Sequence, residues 1–542
     1  MPMQTQRDSG AVIKKIVIQN YRLFRSFGLS FSPGINTLVG ANDSGKSTLI
    51  EAVSLALTGR LNGRPLAQEL SPYLINMDAT AEYIAGIREG RRPVPPSIII
   101  DLFLEDEHEL ETLRGTNNLS SENACGIRIQ AKLSADYAEE YEGFISDPNA
   151  IRVVPTEYYR VEWLGFSGNA ITVRSVPTAA SVIDSTAIRL PNGVDYHLQQ
   201  VLRTHLDTKE RVELSRQYRS LRESFAQKEP VKQINNRLKE ENDLLTDREL
   251  SLAIDISHGQ SWENTLTAHI DDLPFQLVGR GQQNALKMLL AIGRRSTDAQ
   301  IILIEEPETH LSFASLRKLI SRIEERCASK QLIIATHSGY VINKLGIDSL
   351  ILISNGLACR ITDLPPDTIQ YFKKLPGFDT LRLVLADAAI LVEGPSDELI
   401  VQRAYLDARG KLPIADGIDV ISVGLSHKRF LDISTRLKRR VWIVTDNDGK
   451  PADQVRARFS DYLSFETVSL HVPSNSSLKT LEPSIVDANH LNILNAVLGT
   501  AFDTKEQVLE RMLDDKTAAA LAIFESKTKI VMPDYIREVV SD

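Results

Sequence analysis

Residues Gly40-Ala41-Asn42-Asp43-Ser44-Gly45-Lys46-Ser47-Thr48 fit the G-x-x-x-x-G-K-[ST] phosphate-loop pattern at every fixed position, and no other stretch constrains the chain as strongly. Gly34 to Val39 before them reads as a short buried strand. Ser47 to Thr58 after them carries apolar residues at helical spacing until Gly59 stops the helix. A strand–loop–helix unit of this kind, with glycines such as Gly40 and Gly45, turns backbone N–H groups toward phosphate oxygens. Lys46 would reach the β and γ phosphates of ATP, and Ser47, beside Thr48, would ligate Mg²⁺ at the positive helix end.

A chain of 542 residues is too long for one core, so two or three domains are expected. The 42% apolar and 25% charged composition is that of a globular protein, and no apolar run reaches the roughly 18 residues of a membrane span. Arg7, Asp8 and Lys14 interrupt any signal-like segment. Three cysteines, at 125, 327 and 359, are too far apart for a zinc knuckle and suggest a reducing compartment. A cytoplasmic protein with no membrane partner is the expectation. The formal charge of −9 neither supports nor excludes a nucleic-acid partner, because only the local distribution matters for that contact. Arg436, Lys438, Arg439 and Arg440 form the densest basic strip, readable equally as a solvated helix end.

Taken in order, residues 12–19 read as a strand, Asn20 to Phe27 as a turn and Leu29 to Phe31 as the start of a hairpin partner. The strand, the Asn20-Tyr21-Arg22 turn and the loop, with Asn42 and Ser44 at the variable positions, resemble the N-terminal lobe of ABC-type ATPases of the SMC and RecF-like group. Further strands are expected at 97–104, 125–133 and 151–164. From Tyr196 to about Leu245 the pattern becomes charged and helical, broken near Pro230, with Leu198, Val201 and Leu202 at helical spacing. In relatives such an insertion mediates dimerisation; a solvated helical hairpin is the plainer alternative.

Gly279-Arg280-Gly281-Gln282-Gln283 opens a helical run from Asn284 to Ile292 and resembles the ABC signature loop, with Gly279 in place of the usual serine. Ile301 to Ile304 then make a buried strand that delivers Glu305 and Glu306 at its C-terminal end, where nucleotides bind in α/β sheets. Glu305 would orient the Mg²⁺ shell and Glu306 would act as general base toward the attacking water. Leu332 to Ser338 repeats the design, and His337 resembles the switch histidine that contacts the γ-phosphate.

Three prolines between Asp363 and Pro376 read as a linker. Beyond it, strand 388–392 ends in Glu393-Gly394-Pro395-Ser396-Asp397, and a helix runs over 398–409. Strand 418–423, helix 426–439 and strand 441–445 follow, the last ending in Asp446-Asn447-Asp448-Gly449. Alternating strands and helices with carboxylates at strand ends imply a small parallel sheet. Glu393, Asp446 and Asp448 would converge as hard ligands for Mg²⁺ or Mn²⁺. The pairing of E-G-x-x-D with D-x-D-G is similar to a Toprim domain.

An ABC-type ATPase followed by Toprim resembles the OLD (overcoming lysogenisation defect) family of ATP-dependent endonucleases. That resemblance implies an α/β chain: an ABC-type (SMC/RecF-like) ATPase domain with an inserted helical dimerisation element, then a C-terminal Toprim domain. The expected boundaries are 1–195 and 251–362 for the two ATPase parts, 196–250 for the insertion, 363–380 for the linker and 381–542 for Toprim. It further implies two Mg²⁺ or Mn²⁺, one served by Glu393 and Asp397 and the other by Asp446 and Asp448. Glu482 is implied as a further acidic ligand and Lys516 as the catalytic lysine, with Lys505 as a competing choice. ATP with Mg²⁺, a DNA substrate, a homodimer or higher oligomer and a partner protein such as a helicase belong to the same expectation. So does a role in phage defence or DNA processing. Two readings remain beside it: an SMC-like scaffold whose Toprim unit only binds, and a nuclease acting on RNA.

Overall fold

The computed structural model describes residues 12–148, 151–172, 179–184, 206–242, 252, 262, 269–293, 299–326, 330–374 and 378–541. They fall into two compact units, Met1–Pro177 with Gln331–Asp542, and Thr178–Lys330.

The first unit begins with an antiparallel sheet. Strands β1 (Ile13–Tyr21) and β2 (Phe24–Ser30) pair as a hairpin, and β4 (Ile98–Leu104), β5 (Ala124–Leu133) and β6 (Tyr159–Gly165) extend it from β1. β2 starts at Phe24, earlier than expected, because the turn is compressed into Arg22 and Leu23, with Asn20 and Arg22 at positive φ. The expected strand at 151–164 is also shorter. Pro155 cannot donate to a ladder, and the chain forms a 3₁₀ turn over Thr156–Tyr158 before β6 begins. Asp101 and Arg128 lie opposite each other on β4 and β5, joined by two hydrogen bonds of 2.7 Å, with Asp101 fully buried. Between β2 and β4, β3 (Ile35–Val39) leads through the phosphate loop into helix α1 (Lys46–Thr58). α1 buries Leu49, Ile50, Val53 and Leu55, and Trp163 of β6 donates its indole N–H to the Ala56 carbonyl at 2.9 Å.

In the unit Thr178–Lys330, the described part of the charged helical stretch consists of helices α2 (Thr208–Ala226) and α3 (Glu229–Asn242). A capping box of Asp207 and Glu210 starts α2, and Pro230 sits in the first turn of α3. Val212, Leu221 and Phe225 are exposed on α2. Leu198, Val201, Leu202 and Cys327 lie outside the described residues. Strand β7 (Ala179–Asp184) pairs in parallel with β8 (Ala299–Glu305), and helix α4 (Arg280–Gly293) precedes β8.

The chain returns to the first unit with β9 (Gln331–Ala335) and β10 (Leu350–Ser354), both parallel to β3, and β11 (Leu357–Arg360), antiparallel to β10. The Gln331 side chain accepts from the Ile13 N–H and donates to the Ile13 and Ser32 carbonyls, each at 2.8 Å, tying β9 to the antiparallel sheet.

Within the stretch expected to be a linker, 363–380, the described residues carry helix α5 (Pro366–Lys374) and the start of helix α6 (Phe378–Leu385). Pro366 occupies the first turn of α5, where a missing N–H costs nothing, so this proline starts a helix rather than marking a joint. Behind α6 comes a four-stranded parallel sheet in the order β13 (Ile418–Ser422), β12 (Ala388–Val392), β14 (Arg440–Val444), β15 (Val468–His471). Helices α7 (Pro395–Arg409) and α8 (His427–Arg436) are its crossovers. α9 (Leu481–Ala488), α10 (Lys516–Glu525) and α11 (Asp534–Ser541) complete the fold.

Successive residues of these strands face opposite sides. Ile390, Val392, Val420, Trp442 and Val444 pack on one face with residues of α7, α9, α10 and α11. Leu391, Ile421, Val441 and Ile443 pack on the other with Phe430 of α8. That second core does not stop at the sheet: Phe372 of α5, Leu383 and Val384 of α6, and Val39, Leu350 and Leu352 of the phosphate-loop sheet belong to it. The Phe372 ring meets Phe430 edge-on, with centroids 5.3 Å apart. Arg382 of α6 adds polar ties, donating to Asp419 of β13 at 2.8 and 3.0 Å and to Glu398 of α7 at 3.1 Å.

Phe372→Ala should therefore lower stability by about 3–5 kcal/mol, the range for emptying a buried aromatic site, read as a shift of the denaturant midpoint. A shift of about 0.5 kcal/mol, as a surface substitution gives, would mean that α5 is not part of the core.

Candidate functional site

The phosphate loop is built around two glycines that tolerate no side chain. A Cβ on Gly40 would lie 2.2 Å from the Ile353 carbonyl oxygen, and one on Gly45, at φ +106°, would lie 2.8 Å from the Phe24 ring. Gly45 is also the N-cap of α1, which has no side-chain cap and no acidic residue in its first turn. The Ser44 hydroxyl is buried without a protein partner. Uncapped helix N–H groups and an orphaned hydroxyl are features that a phosphate would satisfy. The Lys46 ammonium, nearly buried, donates to the Gly40 and Ala41 carbonyls at 3.0 and 2.8 Å, holding the loop curled. Asn42 and Ser47 are exposed on the loop, and Thr48 is half-buried. His337 follows β9 and is half-buried, and the Thr336 hydroxyl accepts from the Ser338 N–H at 3.0 Å.

In the unit Thr178–Lys330, Glu305 ends β8 and Glu306 begins a tight turn at φ 44°. The Thr309 hydroxyl donates to the Glu306 carboxylate at 3.0 Å, fixing its direction. The signature-like residues pack on this turn: a Cβ on Gly281 would lie 2.3 Å from the His310 carbonyl oxygen, and Asn284 donates to the Thr309 carbonyl at 3.2 Å. The helix already begins at Arg280, so Gly281 and Gln282 form its first turn rather than a loop; Gln282 and Gly279 are exposed.

The second site lies at the C-terminal edge of the parallel sheet. Glu393 leaves β12 and accepts from the Thr445 hydroxyl and, at 3.1 Å, from the Asp446 N–H. Asp397, in the first turn of α7, accepts from the Gly394 N–H at 2.9 Å. Glu482, nearly buried at the start of α9, accepts from the Thr480 hydroxyl at 2.8 Å and the Lys516 ammonium at 3.0 Å. Burial, then the charges of Asp397, Glu393 and Glu482, push the Asp446 carboxyl up to about 8, with Lys516 opposing. Burial above all, with Glu393 and Glu482 beside it, pushes Asp397 up to about 6 against the Gly394 hydrogen bond. Four carboxylates, of which Asp446 and Asp397 resist ionisation, offer only oxygen donors, the chemistry that suits a hard divalent cation. Among the described residues no three acidic, histidine or cysteine groups close on one point as metal ligands, so the cluster is defined by its charge.

The structure thus brings together Glu393, Asp397, Asp446, Glu482 and Lys516. Asp448 is exposed on the turn at φ 48°. Lys516, not Lys505, is the lysine at the cluster; Lys505 is half-buried and donates to the Asp487 carbonyl at 3.3 Å. The basic strip is divided: Arg436 and Lys438 are exposed, whereas Arg439 is buried and donates to the Val384 carbonyl at 2.8 Å. Tyr535 of α11 was not foreseen: its buried phenol faces the same four carboxylates, which with burial raise it far above the ordinary tyrosine value. No motif announces it, because it follows Asp446 by a long, unrelated stretch. Thr445, one residue before Asp446, had a weak local signal as a polar strand end.

A phosphate loop on one sheet and strand-end carboxylates on another define an α/β ATPase joined to a Toprim domain. The chain belongs to the ATPase family described as "AAA domain, putative AbiEii toxin, Type IV TA system", whose model matches residues 35–343. The model "Overcoming lysogenization defect protein-like, TOPRIM domain" matches 384–448, which makes the chain an OLD-type ATPase–Toprim fusion. Two relatives are described as DNA double-strand break repair Rad50 ATPase. That of Methanopyrus kandleri is 45% identical over 49 residues, 9% of this chain and 6% of the relative. That of Methanococcus maripaludis is 41% identical over 46 residues, 8% and 5% respectively. The chain therefore spans only a small fraction of their length. Among solved structures, an SMC head bound to the C-winged helix domain of ScpA is 14% identical with a TM-score of 0.32, covering 64% of this chain and 96% of that one. RecF with ATP is 11% identical with a TM-score of 0.32, covering 65% and 97%. No helix among the described residues is long and apolar enough to cross a membrane.

The raised Asp446 gives a testable pH dependence. Its folded value of about 8 exceeds the ordinary aspartate value of about 4, so protonation favours the folded state. That contribution is complete below pH ~4 and is lost as the pH rises through about 8. Metal-free protein should lose thermal stability across that window. Asp446→Asn should flatten the slope, and added Mg²⁺ or Mn²⁺ should restore stability at the alkaline end. An unchanged slope in Asp446→Asn would contradict this assignment.

Proposed function

We propose that the protein is an ATP-regulated, metal-dependent DNA endonuclease that nicks or cuts phosphodiester bonds, serving phage defence or DNA processing. The observation that carries this reading is that Glu393, Asp397, Glu482 and Lys516 all act electrostatically on Asp446 at the edge of a sheet whose core continues into the phosphate-loop sheet. Bound Mg²⁺ or Mn²⁺ ions, two in this reading, would activate water and stabilise the leaving oxygen of the phosphodiester. Glu393, Asp397, Asp446 and Glu482 would hold them, and Asp448, exposed on the neighbouring turn, would be a further ligand. Thr445 and Thr480 fix Glu393 and Glu482 in place through their hydroxyls. Lys516, hydrogen-bonded to Glu482, would carry positive charge beside the phosphate.

In the ATPase half, Gly40, Asn42, Gly45, Lys46, Ser47 and Thr48 would bind the nucleotide. Glu305 would serve Mg²⁺, Glu306 would orient the attacking water, and His337 would sense the γ-phosphate. Because the chain carries one phosphate loop and one signature-like segment, a homodimer is required for Gly279, Gly281 and Gln282 of one copy to close on the phosphates of another.

Supercoiled plasmid with Mg²⁺ or Mn²⁺ tests the reading. Asp446→Ala should lose nearly all nicking and keep its ATPase activity. Glu306→Gln should bind ATP and hydrolyse it about 10² to 10⁴ times more slowly, as loss of a general base gives, and Lys46→Ala should not bind it. Nicking by Asp446→Ala at the parental rate would overturn the nuclease assignment.

A further inference from the structure

The turn carrying Asp446 and Asp448 is stitched to a second loop, residues 473–480, that leads into Glu482. Asn447, 1% exposed, makes the stitch: its amide donates to the Pro473 and Asn475 carbonyls at 3.2 and 2.8 Å, and its oxygen accepts from the Gly449 N–H at 2.8 Å. The Asp448 N–H donates to the Lys479 carbonyl at 3.2 Å. Within the loop, Asn475 accepts from both the N–H and the hydroxyl of Ser477, at 3.0 and 2.7 Å. A buried amide that donates twice to the second loop and accepts once within its own turn joins the two as one rim beside the carboxylates.

That rim presents a different chemistry from the cluster it borders. Ser474, Asn475, Ser476, Ser477 and Lys479 are all exposed. The Lys479 stem lies along Gly449, with its Cγ, Cδ and Cε atoms 3.5–3.7 Å from where a Cβ of Gly449 would be. Gly449 is at φ +79°, so a side chain there would be strained as well as crowded against this stem. The lysine is thus laid flat across the turn and is set one residue before Thr480, whose hydroxyl holds Glu482. A stem packed in this way loses less freedom on binding an anion than a lysine free in solvent.

We infer that Lys479, with the hydroxyl and amide groups of residues 474–477, binds a backbone phosphate of the DNA strand next to the one that is cut. This rests on the nuclease reading. The carboxylates repel a polyanion on their own account, and a fixed cation with neutral donors on their rim supplies the attraction that holds the strand in register. Lys479 is a substrate-binding residue in this scheme, and Asn447 is the positioning residue that holds its loop.

The test is DNA binding by the full chain, measured by fluorescence anisotropy with a short labelled duplex and EDTA present, so that no cutting occurs. Loss of one phosphate contact should lower the slope of log affinity against log salt by about 0.9. Lys479→Ala should show that loss and a higher KM for plasmid at unchanged kcat. Lys479→Arg should restore both, and Lys505→Ala, at a lysine held by the Asp487 carbonyl rather than by the rim, should match the parent. A parent that cuts plasmid while Lys479→Ala keeps its salt slope and KM would overturn this contact and leave the nuclease reading standing. A parent that neither binds nor cuts DNA would overturn both.

Discussion

Phe372, Leu383 and Val384 occupy a core whose other walls are Val39, Leu350 and Leu352 of the phosphate-loop sheet and Leu391, Val441 and Ile443 of the carboxylate-bearing sheet. Burial of aliphatic and aromatic side chains at interior density leaves little room for one wall to move without the other. The strand whose end holds the phosphate loop therefore stands on the same packed layer as those whose ends hold Glu393 and Asp446. Arg382 strengthens that arrangement with fixed hydrogen bonds from α6 to Asp419 and Glu398, the latter one residue beyond Asp397. β3 and β10 thus meet the Toprim sheet through packed side chains rather than through a tether.

The carboxylate cluster is an electrostatic cost that the rest of the Toprim domain is arranged to tolerate. Buried carboxylates close to one another resist ionisation, and both Asp446 and Asp397 show it. Hydrogen bonds from Thr445, Gly394 and Thr480 and the ammonium of Lys516 offset part of that cost. Each comes from a different element, so the site exists only once β12, β14, α7, α9 and α10 have assembled.

How much of this was legible in the sequence depended on whether the chemistry was local. The phosphate loop was, because glycine spacing, lysine and hydroxyl lie in one short run with a strand before and a helix after. The strand-end acids Glu305, Glu306, Glu393 and Asp446 were legible for the same reason: each follows an unbroken apolar strand. The prolines near 365 misled, since a proline that begins a helix and one that breaks a chain look alike until the packing of Phe372 is seen. Arg439 misled in the opposite sense, because charge in sequence says nothing of burial. Tyr535, Asn447 and Lys479 had no signal at all, as their partners are brought to them by tertiary folding.

The shared core is tested most directly by the three tryptophans, of which Trp163 sits against the phosphate-loop helix and Trp442 lies in β14 of the Toprim sheet. Two variants, each retaining one of these and carrying phenylalanine at the other two positions, can be unfolded in denaturant and followed by fluorescence. One cooperative core predicts that Trp163 and Trp442 report the same midpoint and the same slope. A Trp442 transition separated from that of Trp163 would show that the Toprim domain unfolds by itself, and would contradict the account.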